Sequence, residues 1–158
     1  MKSLHLGLLL GLLLGTMLPA FAQLSVPSFS FTDLSGATYN SAKLNQSKSA
    51  LIIYFDPWCE HCNQQAEWIA ARPDAFKNVQ ILFVTFEPEK TPIQEFKNKY
   101  FSAAGWSNVV FLQDLDFQFE TYFGYTDDPL YIYCYKPGGG KGKYFGEEQR
   151  AEVLINFL

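Results

Sequence analysis

The chain has 158 residues, a net charge of −4, 15 Phe, 9 Tyr and three cysteines. That length suits one domain with a buried core, and the aromatic content excludes a disordered polymer. The acidic balance excludes a nucleic-acid surface, and three cysteines are too few for a disulfide scaffold.

The first segment reads as an export signal. Lys2 is followed by an apolar run from Leu4 to Leu18, then by Pro19-Ala20-Phe21-Ala22, with alanines at −3 and −1 of a cut after Ala22. The run is shorter than the roughly 20 residues a membrane span needs, so it reads as a secretory signal peptide. The expected organisation is a signal peptide over 1–22 and a single domain over 23–158. After cleavage no membrane attachment is expected.

Gln23 to Pro27 is a lead-in. Ser28-Phe29-Ser30-Phe31 alternates as an edge strand does, and Asp33-Leu34-Ser35-Gly36 is a turn with Ala37-Thr38-Tyr39 as the returning partner. Ala50 to Phe55 is an almost continuous apolar run, the pattern of a central strand covered on both faces. A helix is predicted from about Cys59 to Arg72, with Ala66, Ile69 and Ala70 inward and Gln64, Gln65 and Glu67 on other faces. Val79 to Phe86 is a second buried strand. A helix follows over about Thr91 to Ala103, with Pro92 in its first turn.

Val109 to Leu112 is a short strand. Leu115 to Tyr122 is predicted helical, with Leu115, Phe119 and Tyr122 inward. Gly124 to Pro129 is a loop, and Leu130 to Tyr135 a strand of aromatic and β-branched residues. Gly138-Gly139-Gly140 turns a hairpin, and Gly146-Glu147-Glu148 opens a last helix running to about Phe157. Lys136, Lys141 and Lys143 flank the hairpin as a solvated surface. The alternation of strands and helices implies a parallel centre with an antiparallel edge, an α/β fold.

Trp58-Cys59-Glu60-His61-Cys62 sits where a strand runs into a helix. A Cys-x-x-Cys pair at that junction is a redox layout. The spacing places both sulfurs within one helical turn. Unpaired N–H groups and the positive end of the helix dipole favour a thiolate at Cys59. His61, when protonated, favours it further, whereas Glu60 opposes it. Cys62 would resolve a mixed disulfide from inside the helix, and Trp58 would offer an apolar docking surface. Cys134 falls in mid-strand and reads as a small buried hydrophobe.

These features resemble the thioredoxin superfamily and, within it, the exported TlpA/ResA-like thiol–disulfide oxidoreductases of the bacterial cell envelope. The resemblance rests on the strand with Trp58-Cys59-x-x-Cys62, on Phe29-x-Phe31-x-Asp33-x-x-Gly36, and on Pro129 before the strand Leu130 to Tyr135. It implies a thioredoxin-like fold, with a central mixed sheet flanked by helices and an N-terminal β-hairpin extension. It also implies a cis-proline at Pro129, beside Asp128, where a client peptide would bind. The implied activity is disulfide exchange with client proteins and an unidentified redox partner protein. No cofactor or metal is implied, and a monomer in the periplasm or cell envelope is expected. Ile53 stands where ordinary thioredoxins carry a buried acid.

Other readings make other demands. Peroxiredoxins place Thr three residues before the attacking cysteine, where this chain has Asp56. A copper carrier would need a histidine after the motif, and none follows His61. A zinc site would need two further ligands. A non-catalytic binding module of the same fold would not need an intact cysteine pair.

Overall fold

A computed structural model describes residues 25–103, 105–124, 128–140 and 142–158. The predicted signal peptide lies outside these. Among the described residues, seven strands form one sheet: β1 (Ser30–Asp33), β2 (Thr38–Asn40), β3 (Ala50–Tyr54), β4 (Gln80–Thr85), β5 (Val109–Gln113), β6 (Tyr131–Tyr135) and β7 (Lys143–Phe145), in the order β2-β1-β5-β4-β3-β6-β7. β3, β4 and β5 are parallel, and β1, β2, β6 and β7 pair antiparallel to their neighbours. This is the expected thioredoxin-like architecture with its N-terminal hairpin.

The period of two along each strand divides the core. Leu51, Ile53 and Phe55 face one side with Ile81, Phe83 and Phe111, under α1 (Glu60–Ala70), α2 (Pro73–Phe76), α3 (Lys90–Phe101) and α5 (Ala151–Ile155). Ala50, Ile52 and Tyr54 face the other side with Leu82, Val84 and Leu112, under Phe29, Phe31 and α4 (Phe119–Phe123). Phe83 stacks on Phe111 at 5.1 Å and meets Phe55 edge-on at 5.3 Å. Full burial of such a ring contributes about 1.5–3 kcal/mol.

Five expectations are corrected. β1 is not an edge strand. Phe31 is buried, and β1 pairs with β5 as well as β2, so the more exposed β2 takes the edge. Gln65 is buried rather than outward, because its Oε1 accepts the Gln149 N–H at 2.7 Å. The helix predicted from Leu115 begins only at Phe119, and Leu115 is exposed. The buried Asp114 carboxylate accepts the N–H groups of Gln118 and Phe119 at 2.7 and 2.8 Å, which delays the helix start. Phe117, just before Gln118, takes a left-handed φ of 53°.

The last helix begins at Ala151, not Gly146, since residues 146–150 are drawn towards α1 by Gln65 and His61. Finally, the Asp128–Pro129 bond is trans: no peptide bond among the described residues is cis. Trans is favoured by about 0.5–1 kcal/mol before proline, and the Asp128 carboxylate stabilises this turn by accepting the Leu130 N–H at 3.3 Å.

Candidate active site

β3 delivers the chain to one end of the sheet, and residues 55–59 turn it into α1. Asp56 organises the turn: its Oδ1 accepts the Trp58 N–H at 2.8 Å, and its carbonyl accepts the Cys59 N–H at 3.1 Å. Cys59 is the N-cap of α1, in extended backbone with φ −74° and ψ 127°. Its Sγ accepts the Cys62 N–H at 3.3 Å, so a sulfur takes the place of the usual capping oxygen. An anionic sulfur there meets both an N–H donor and the positive helix end.

Cys59 is half-buried and Cys62 is only 1 % exposed; both are free thiols. The Cys62 Sγ lies 3.6 Å from the Pro129 carbonyl oxygen, to which it donates. Burial pushes the Cys62 thiol well above the ordinary range, with the contact to Cys59 adding to the effect. Ile53 is fully buried in the same core cluster as Cys62 and brings no carboxylate to it. One reachable nucleophile stands above one protected thiol.

Glu60 opens α1, where its charge suits the dipole. His61 comes next, where a cation opposes the dipole, and its Nδ1 lies 3.0 Å from Glu148 Oε2. Hydrogen bonding to Glu148 raises the His61 pKa above its ordinary value, as does the charge of Glu148; Asp128 and Glu60 reinforce the shift. Glu148 is held below the usual carboxylate range by its own backbone N–H and by His61. His61, Asp128, Leu130, Gly146, Glu147 and Glu148 line a cleft of about 300 Å³.

Trp58 is 70 % exposed, which excludes a packing role, and its Nε1 donates to Glu87 Oε2 at 3.4 Å. On its side a second cleft of about 240 Å³ is lined by Pro57, Trp58, Asn63, Pro92, Glu95, Phe96 and Lys99. Asp128 and Pro129 are exposed. The structure thus gathers Cys59, Cys62, His61, Asp128 and Pro129 at one end of the sheet, with Trp58 on the opposite flank. Cys134 is apart from them, in β6, fully buried, with its thiol pushed up to about 12 by burial.

Sequence reasoning missed Asn63, Glu87, Tyr100 and Glu148 as neighbours of the motif. Asn63 carried a readable signal, because an Asn four residues after a helix start can reach back to that residue's carbonyl. The other three come from distant elements. Among the described residues no group of three or more His, Cys, Asp or Glu could hold a metal ion, and no helix is long and apolar enough to cross a membrane.

Known proteins resemble this chain in sequence and in fold. The soluble secreted antigen MPT53 of Mycobacterium tuberculosis is 32% identical over 72 residues, a segment spanning 46% of this chain and 41% of that protein. Among solved structures, a secreted M. tuberculosis disulfide oxidoreductase homologous to E. coli DsbE superposes with a TM-score of 0.65 at 23% identity, covering 82% of this chain and 96% of its own. A solution structure described as a putative thioredoxin from Neisseria meningitidis gives a TM-score of 0.65 at 24% identity, covering 85% of this chain and 86% of its own. At those identities the structural likeness speaks for the fold. The family model described as AhpC/TSA family matches residues 22–156. The chain belongs to the AhpC/TSA family.

Proposed function

We propose that the protein is an exported thiol–disulfide oxidoreductase of the cell envelope, acting on protein thiols and disulfides through Cys59 and Cys62. The observation that carries this reading is the Cys62 N–H donating to the Cys59 Sγ at the N-cap of α1, with the Cys62 thiol buried one turn behind.

In the reducing direction the Cys59 thiolate attacks a client disulfide. A Cys59–client bond forms, the client S–S bond breaks, and the departing client sulfur takes a proton. Cys62 then loses its proton and attacks the Cys59 Sγ, and the second client sulfur leaves as a thiol. The protein pair is oxidised by two electrons and the client disulfide is reduced by two. The reverse sequence oxidises a client dithiol. The two sulfurs supply all the redox chemistry.

His61 and Glu60 tune the Cys59 thiolate in opposite senses. Trp58, Asp128 and Pro129 border the place where a client segment would lie. The signal pattern over 1–22 supports export, as does the secreted character of the relatives named above. A peroxidase needs only one attacking cysteine, and the paired arrangement of Cys59 and Cys62 favours dithiol exchange over it.

The test is insulin reduction. The wild-type protein should catalyse it, and Cys59→Ser should abolish it; activity retained in Cys59→Ser would refute the assignment. Peroxide consumption by the purified protein at a rate exceeding its disulfide exchange would replace it with the peroxidase reading.

A further inference from the structure

We propose that Asn63 is a positioning residue of the exchange reaction, clamping the backbone on both sides of Trp58 and so fixing the Cys59 sulfur against the Cys62 N–H. The proposal rests on the thiol–disulfide reading above and adds a residue that acts through Cys59.

A side-chain amide has two donor hydrogens and an oxygen with two lone pairs. Every one of these is used at Asn63. Its Nδ2 donates to the Pro57 carbonyl at 3.0 Å and to the Cys59 carbonyl at 2.8 Å. Its Oδ1 accepts from the Tyr100 hydroxyl at 2.7 Å and from the Lys99 ammonium at 3.4 Å. The Asn63 backbone N–H also donates to the Cys59 carbonyl, at 3.0 Å. An Asn serving only its own helix would stop at the Cys59 carbonyl. Asn63 reaches past it to Pro57, before the motif, and is itself anchored from α3.

That anchor is packed against the core. The Tyr100 ring lies 5.0 Å from the buried Phe96 ring, and the Lys99 ammonium lies 4.7 Å above the Tyr100 ring. Without the Asn63 side chain the Pro57 carbonyl would lose this tie to α3, leaving the Asp56 bonds to Trp58 and Cys59 and the backbone bonds at the start of α1 to hold the turn. Disulfide exchange needs the attacking sulfur, the attacked sulfur and the leaving sulfur nearly in line. An error of about 1 Å in placing a reacting group can cost about 10²-fold in rate. A clamp on the carbonyls that flank Trp58 therefore acts on rate more than on client affinity.

The test compares Asn63→Ala, Asn63→Asp and Tyr100→Phe with wild type. Two readouts are used: steady-state exchange with oxidised glutathione, and the rate of Cys59 alkylation by iodoacetamide as a function of pH. Asn63→Asp sets a carboxylate oxygen against two carbonyl oxygens and should be worst. Asn63→Ala should lower kcat about tenfold with KM within twofold, and Tyr100→Phe should lower it two- to threefold. The alkylation profile should shift in the same order. Equal kcat and superimposable alkylation profiles in Asn63→Ala and wild type would overturn the proposal, even with a lowered Tm, since that would leave Asn63 a structural role only. If Asn63→Asp does not fold, the other two variants decide. Alkylation requires no turnover, so it reads the clamp even where wild type fails to reduce insulin, the result that would instead sink the functional reading.

Discussion

His61 Nδ1 and Glu148 Oε2 stand 3.0 Å apart, which ties the second inner residue of the cysteine motif to the segment before the last helix. The His61 pKa is raised and that of Glu148 lowered, so both are charged across the window between those two values. The signs follow by linkage. His61 contributes stability that is fully present below its unfolded value and is lost as pH rises through its raised folded value. Glu148 contributes stability present above its unfolded value and lost as pH falls through its lowered folded value.

Glu148→Gln should therefore move the His61 titration midpoint down towards the ordinary value of about 6.5. Imidazole NMR reads this without assignment, because His61 is the one histidine in residues 23–158. The reduction potential of the pair near neutral pH should fall with it, by about 30 mV for each tenfold loss in stabilisation of the dithiol form. A midpoint unchanged by the substitution would show that the ion pair does not govern His61 in solution.

Cys62 resolves only after losing a proton that burial holds tightly. Under single turnover with a client disulfide, the resolution step should accelerate with pH and show no plateau below about pH 9. Cys62→Ser should accumulate the Cys59–client mixed disulfide, visible on a non-reducing gel. Absence of that adduct, with exchange continuing, would transfer the resolving role to another thiol.

The Cys134 thiol, pushed up to about 12 in the core of β6, should resist alkylation in the folded protein and react only in denaturant. Replacing it with serine puts a hydroxyl in that apolar site and should cost about 1–3 kcal/mol, read as a lowered denaturation midpoint. Labelling of Cys134 at the rate of Cys59 under native conditions would contradict its burial.

Phe83 joins the central parallel strands to Phe55, Phe96, Phe101 and Phe111. Phe83→Ala should destabilise the fold by about 3–5 kcal/mol, measured by urea unfolding. A loss below about 1 kcal/mol would mean that the aromatic cluster collapses into the space.

The direction of electron flow is measurable against glutathione. A potential near about −180 mV or above suits an oxidase or isomerase, and one near about −270 mV or below suits a reductase. Protonation of His61, which Glu148 favours, pulls towards the first value, and Glu60 towards the second.

The strand-to-helix junction at Cys59, the buried strand Ala50–Tyr54, the turn at Asp33 and the parallel order of the centre were all legible in the residues, because each depends on local periodicity, capping and turn chemistry. The start of α4, the late start of α5, the inward Gln65, the double pairing of β1 and the trans bond at Pro129 were not. Each is decided by a partner far along the chain or by a competing local hydrogen bond: Asp114 for Phe119, Gln149 for Gln65, β5 for β1, and the Asp128 carboxylate at Leu130. The same division holds for the site. Its two sulfurs are set by a spacing of three residues on one helix, whereas Glu148, Glu87, Tyr100 and Lys99 reach it only through the packing of the sheet and its helices. Side-chain patterns report which face is buried, but not which distant group will stand opposite.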